Sequence, residues 1–231
     1  DSFEDIAAFW QIDDEGQSRL PSPKGTCTAG TLSEDGQVAL LALANGELLL
    51  WTVATGREIK RLEGHPDLNV SSVAFSRDAK LAVSIDENAH LKLWDLESGD
   101  LVKNLDLPIF GFANKIYAAR FSPDARFLHL KDSVRTIILD LNKGDVVRRL
   151  DADKGVTAST MSADARRVAL AVKGGVIQVW DTVAGKKLQT LRGHGEDVDQ
   201  LSFFRSDLLA SASNAERSIR IWNLKSRKQV W

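Results

Sequence analysis

The chain has 231 residues, 43% apolar and 27% charged, with 30 Lys and Arg against 32 Asp and Glu for a formal charge of −2. These proportions exclude a disordered chain, and no apolar stretch reaches the roughly 20 residues of a membrane-spanning helix. Near neutrality removes any general pull toward nucleic acid or anionic lipid, and the single cysteine, Cys27, excludes an intrachain disulfide or a multi-cysteine metal site.

In chain order, the first element is a β-like run ending in tryptophan at residues 6–10 (IAAFW). A strand around Cys27 follows, then a polar turn leading into an apolar run (SEDGQVALLAL), a second tryptophan run at 47–51 (ELLLW) and the segment TVATGREIKRL. The next stretch predicts strands at 70–75, 81–85, 91–94 (LKLW) and 101–105, with turns at 76–80 and at Ser98-Gly99-Asp100. The same order then recurs: SPDARFLHL, 134–139 (VRTIIL) and DLNKGDVVRRL; SADARRVALAV, 176–180 (VIQVW) and DTVAGKKLQTL; and finally 218–222 (SIRIW). Every run is short, rich in Val, Ile, Leu or Phe, and bounded by Asp, Gly, Ser or Asn. Proline is confined to connections (Pro21, Pro23, Pro66, Pro108) and one turn (Pro123), as strand pairing demands. No segment sustains a helical period, so the class is all-β.

The strand landmarks Trp10, Trp51, Trp94, Leu139, Trp180 and Trp222 stand 41 to 45 residues apart. The polar turns keep step through Asp35, Asp78, Asp124 and Asp164, and so do the segments that follow each landmark. A shared period of about 42 residues means stacked repeats of four strands each. One four-stranded sheet cannot bury both of its apolar faces alone, so neighbours must stack. Val73, Phe75, Phe121, Met161, Leu201, Phe203 and the tryptophans are the expected inter-sheet core.

On these residues the chain resembles the WD-repeat β-propeller family. Trp94-Asp95 and Trp180-Asp181 match its name-giving dipeptide, and Gly64-His65 and Gly193-His194 match its glycine–histidine dipeptide. Trp10-Gln11, Trp51-Thr52 and Trp222-Asn223 lack the Asp, and Leu139-Asp140 lacks the Trp. The resemblance implies a β-propeller of four-stranded antiparallel blades, a single propeller over residues 1–231. The chain holds five nearly complete blades plus a half blade. It begins with Asp rather than Met, and seven blades at this period need about 295 residues. The expectation is therefore a piece of a seven-bladed ring, truncated at both ends. The resemblance also implies structural hydrogen-bond networks within blades. His65, Ser84 and Trp94 would form one, with Asp86 or Asn88 as acceptor, and His194, Ser213 and Trp222 another, with the acceptor among residues 214–216.

Catalytic chemistry finds no foothold. The four histidines, His65, His90, His129 and His194, lie 25 or more residues apart, without metal-ligand spacing. Cys27 reads as a small buried hydrophobe. No serine carries the glycines of a nucleophile elbow, and Lys173-Gly174-Gly175 is a hairpin turn rather than a phosphate cradle. Quinone-dependent dehydrogenase propellers place tryptophan after their Thr-Gly turn, whereas here it precedes the turn in every complete repeat. Neither cofactor nor metal is expected. The basic stretch 216–231 lacks the interleaved aromatics of a single-strand binder, so nucleic acid is not an expected partner.

The function that the resemblance implies is a non-catalytic protein–protein interaction scaffold, displaying loops on one propeller face. The alternatives are a regulatory or sensor module of a larger enzyme, or a ligand-binding or enzymatic propeller. The expected partners are other proteins, with no membrane, and the lone thiol leans toward a cytoplasmic location. On the display face the candidates are Asp67, Asn69, Glu87, Asp132, Glu196 and Arg217. A further candidate is the connection from Leu105 to Phe121, which is 16 residues where its counterparts take 11 to 13. Its extra length holds Ile109, Phe110 and Phe112, either a partner anchor or a cover folded over Leu139 where tryptophan is missing.

Overall fold

The computed structural model describes residues 9–13, 16–20, 26–66, 68–107, 116, 118–122, 124–132, 135–151, 155–162, 164 and 166–231. The candidates Asp67, Ile109, Phe110 and Phe112 lie outside the described residues. The chain divides into two compact units, Asp1–Phe110 and Gly111–Trp231.

The first unit opens with an antiparallel hairpin of β1 (Phe9–Asp13) and β2 (Gly16–Leu20). A four-stranded antiparallel sheet follows: β3 (Cys27–Leu32), β4 (Val38–Leu43), β5 (Leu48–Thr52) and β6 (Arg57–Leu62). The next sheet repeats it: β7 (Val70–Phe75), β8 (Leu81–Asp86), β9 (His90–Asp95) and β10 (Leu101–Asp106). Strand β4 is apolar throughout because both of its faces are covered. Its alternation sends Leu40 and Ala42 to a core with Val70, Val73, Ala82 and Trp94 of the following sheet. Ala39, Leu41 and Leu43 face the other way, into a cluster with Trp51 and Cys27. Burying each such leucine contributes roughly 1.5–3 kcal/mol.

The second unit carries three sheets of the same order. The first comprises β11 (Ala118–Phe121), β12 (Phe127–Lys131), β13 (Arg135–Asp140) and β14 (Asp145–Asp151). The second comprises β15 (Val156–Met161), β16 (Arg167–Val172), β17 (Val176–Asp181) and β18 (Lys187–Leu191). The third comprises β19 (Gln200–Arg205), β20 (Leu208–Ser213), β21 (Ser218–Asn223) and β22 (Lys228–Gln229). Strand β16 splits as β4 does. Val168, Leu170 and Val172 pack on Ile138 and Leu150 of the sheet before. Ala169 and Ala171 pack on Leu201, Leu209 and Trp222 of the sheet after.

Each landmark tryptophan between two full sheets points back at the preceding one: Trp94 against Leu40 and Leu50, Trp222 against Ile177 and Val179, Trp180 against Ile138. Of the expected inter-sheet residues, Val73, Phe75, Met161, Leu201 and Phe203 join these cores. Phe121 is half-buried and Trp231 is 71% exposed.

The repeated polar turn has a repeated cause. Ser76 Oγ donates to Asp78 Oδ1 at 2.7 Å, Asp78 accepts from Lys80 N at 3.2 Å, and Ser76 Oγ accepts from Leu81 N at 2.9 Å. Ser33 with Asp35, Ser122 with Asp124, and Ser162 with Asp164 build the same turn. The residue directly after the Asp turns left-handed, as Gly36 at φ +70°, Ala79 at +54° and Ala125 at +53°. At the end of the third strand in four of the five full sheets, Asp95, Asp140, Asp181 and Asn223 accept backbone N–H groups two and three residues on. The aspartate of the Trp-Asp dipeptide therefore ties the hairpin into the outermost strand.

Candidate functional site

In the first unit the segment from β6 to β7 carries Gly64-His65 over the β4–β5 hairpin. His65 N donates to Gly46 O at 2.8 Å, and a Cβ on Gly64 would stand 2.2 Å from that same oxygen. Glycine is required because two backbones touch there. This contact aims the His65 ring into the next sheet. Its Nε2 lies 2.8 Å from Ser84 Oγ, and its Nδ1 lies 3.0 Å from Asp86 Oδ2. Trp94 Nε1 donates to Ser84 Oγ at 2.9 Å. Asp86 also accepts from Asn88 N at 2.8 Å, from His90 N at 3.0 Å and from His90 Nδ1 at 2.9 Å.

These donors and acceptors balance with a neutral ring. Nδ1–H donates to Asp86, and Nε2 accepts the Ser84 hydroxyl, whose oxygen accepts from Trp94. Burial lowers the His65 pKa, against the opposing pull of Asp86. Asp86 is held below its usual range by hydrogen bonds from His90 and His65 that outweigh its own burial.

The second unit repeats the network between β18 and β21. A Cβ on Gly175 would stand 2.4 Å from His194 O, so the β16–β17 hairpin abuts this loop as Gly46 abuts His65. His194 Nε2 is 2.8 Å from Ser211 Oγ, and Trp222 Nε1 donates to the same oxygen at 2.8 Å. His194 Nδ1 is 2.6 Å from Glu216 Oε2, which also accepts from Ser218 Oγ at 2.9 Å. Glu216 Oε1 accepts from Gly195 N, and from Glu196 N at 3.3 Å. The hydrogen bond from His194, then those from Gly195 and Ser218, bring the Glu216 pKa down to about 2.

The serine here is a correction to the sequence expectation, which assigned Ser213. Ser84 stands opposite Lys92 and Ser211 opposite Arg220, in each case the residue two before tryptophan. Ser213 holds the register of Asp86. A short serine cannot reach the histidine from there, so Glu216, three residues on, extends a longer side chain back to it. Ser213 Oγ instead accepts Glu216 N at 3.4 Å. In the other three sheets the register of Ser84 and Ser211 holds Leu41, Leu130 and Leu170. Without the serine, Trp180 Nε1 bonds Gln178 Oε1 at 3.2 Å, and Trp51 Nε1 is buried with no partner among the described residues.

Serine, histidine and carboxylate thus meet in the order of a hydrolase triad, twice. Both serines are closed to substrate: Ser84 is 0% exposed and Ser211 is 1%. Each Oγ also accepts from an indole N–H, which occupies the direction an acyl carbon would need. No cluster of three or more metal-ligating side chains occurs among the described residues.

The display candidates separate by burial. Asn69 and Glu87 are exposed and joined, Glu87 N donating to Asn69 O at 3.0 Å, above the His65 network. Glu196 and Arg217 are exposed beside Glu216. Asp132 is a correction: it is 1% exposed, accepts from Arg135 N at 2.6 Å and pairs with Arg135 Nε at 3.4 Å. It occupies the register of Asp86 and closes its own hairpin instead of facing solvent. Near Asn69 and Glu87, His65, Asp86, His90 and Lys92 line an open hollow of about 310 Å³.

The sequence model for the family described as WD domain, G-beta repeat, matches residues 56–95 and 185–223. Those segments end at Trp94-Asp95 and Trp222-Asn223, the two repeats with complete networks. WD repeat-containing protein SL1-17 of Schistosoma mansoni is 27% identical over 78% of this chain and 58% of its own length. Nuclear distribution protein PAC1-2 of Uncinocarpus reesii is 26% identical over 85% of this chain and 37% of its own. The chain thus spans less than two thirds of the length of these curated relatives. Among solved structures, the β-propeller domain of Cps50 (Swd1) from Myceliophteria thermophila superposes with a TM-score of 0.71 at 17% identity, covering 87% of this chain and 66% of that one.

Proposed function

Since the chain belongs to the WD-repeat β-propeller family, whose members are generally scaffolds for protein–protein interaction, we propose that it is a non-catalytic scaffold that presents its inter-strand loops to partner proteins. The observation that carries this reading is the division of labour at the histidine loops. The two serines that meet a histidine and a carboxylate, Ser84 and Ser211, are buried beneath them, while Asn69 and Glu87 in the first unit and Glu196 and Arg217 in the second stand in solvent. Buried networks make the loops rigid, and a rigid loop loses less entropy on binding. In this reading Asp67, Ile109, Phe110 and Phe112 are further partner contacts, with the two phenylalanines as apolar anchors.

The test uses the tagged whole chain and partners recovered with it at fixed stoichiometry. Phe110→Ala with Phe112→Ala should weaken a recovered partner by ~2 kcal/mol at an unchanged melting midpoint. A lower midpoint with unchanged affinity would mean that the rings serve the fold and not the partner.

A further inference from the structure

The β11–β14 and β15–β18 sheets meet imperfectly. At the end that carries the Ser-Asp turns they enclose an open hollow of about 570 Å³, a size within the roughly 300–1,000 Å³ of ligand sites. Its origin lies in two side chains. Met161 pairs with Val168, a register that Phe75 holds opposite Ala82 and Phe203 holds opposite Leu209. Both phenylalanines pack into the core shared with the preceding sheet. Thr182, two residues beyond Trp180, stands where Leu96 and Leu224 are buried in those same cores. A methionine and a threonine thus replace a phenylalanine and a leucine, and the space between the sheets stays open.

The floor of the hollow is apolar, made by Phe127, Ile138 and Met161. Its rim carries both charges, but the carboxylates are engaged. Asp124 accepts from Ser122 Oγ at 2.5 Å and Arg126 N at 3.1 Å. Asp140 accepts from Asn142 N at 3.0 Å, Lys143 N at 3.2 Å and Arg126 Nη2 at 3.3 Å. Asp164 accepts from Ser162 Oγ at 2.6 Å and Arg166 N at 3.1 Å. The side chains of Lys143 and Arg166 are exposed, and among the described residues no carboxylate pairs with them. The hollow therefore offers an apolar floor beneath two uncommitted cations.

We propose that this hollow is a second binding site, at the opposite ends of the strands from the His194 loop, for an acidic peptide segment of a partner protein. One large apolar side chain of that segment seats on Phe127, Ile138 and Met161, and its flanking carboxylates meet Lys143 and Arg166. A bare anion would use only the rim, and an uncharged apolar ligand only the floor. An apolar residue between acidic ones uses both.

The experiment is fluorescence anisotropy on the whole chain with three labelled octapeptides. One has a central Phe flanked by Asp and Glu, one the same Phe flanked by Lys and Arg, and one a central Ala with the acidic flanks. The acidic Phe peptide should bind about tenfold more tightly than either control. Lys143→Glu with Arg166→Glu should abolish that preference. Met161→Phe with Thr182→Leu, which installs the residues of the two filled cores, should weaken binding by about tenfold while keeping or raising the melting midpoint. Equal binding of the three peptides would overturn the proposal, and so would binding indifferent to the charge reversals. If the core-filling pair fails to fold, the charge-reversed pair decides, since both of its residues lie on the surface.

Discussion

Replacing Trp94 by alanine removes a large aromatic from the first unit's inter-sheet core and the indole N–H from Ser84. The expected loss is about 3–5 kcal/mol, read from chemical denaturation. His65→Ala leaves Ser84 and Asp86 short of a partner and should cost about 1–3 kcal/mol. A Trp94→Ala chain as stable as the parent would contradict the burial of this indole between the two sheets. His129 supplies a pH signature of its own. Fully buried on β12 at the register of Val83, it has an Nε2 without a partner among the described residues. Burial, with a smaller push from Arg120 and Lys131, holds its pKa down to about 3. The unfolded ring takes up a proton near pH 6.5, which the folded ring does not. Stability is therefore full above that pH and falls below it, by up to about 1.4 kcal/mol per unit, until about pH 3. His129→Leu should flatten the curve in that window, and an unchanged slope would refute the assignment. Glu216 acts lower on the scale. Its stabilisation is present above its ordinary value of 4.5 and is lost as pH falls through about 2, so Glu216→Gln should remove that acid transition.

At the scale of the element, the Ser-Asp turn places alanine where the backbone is left-handed. Ala79 has φ +54°, while Gly36 fills the equivalent place in the preceding sheet. Ala79→Gly relieves the Cβ strain at some cost in chain entropy, and should stabilise by about 0.5–1 kcal/mol in a thermal melt. Destabilisation would mean that Ala79 packs in a way its turn position does not reveal. The four-strand repeat, its turns and its tryptophan faces were legible in the sequence because each rests on local chemistry: period-two apolarity, turn-forming Asp and Gly, and a landmark aromatic. Two assignments needed cross-strand register, which no local pattern encodes. Ser213 and Ser211 both point at the same face of β20, and only pairing with Arg220 singles out Ser211. Asp132 reads as a solvated loop acid until its pairing places it level with Asp86. The gap beside Met161 and Thr182 is likewise written in two ordinary residues, and shows only when they are aligned with Phe75, Phe203, Leu96 and Leu224.

For the whole molecule, folding rests on the buried networks, and association is proposed for the exposed residues above them. Surface substitutions away from such networks usually change stability by less than about 0.5 kcal/mol, so the two roles are separable. The most direct measurement compares partner recovery with melting midpoint for one variant of the whole chain, Glu87→Lys with Glu196→Lys and Arg217→Glu. All three side chains are exposed. The prediction is a midpoint indistinguishable from the parent and loss of a partner that the parent recovers at fixed stoichiometry. Retention of every such partner by this variant, together with the Phe110→Ala and Phe112→Ala changes, would contradict the claim that these loops are the binding surface.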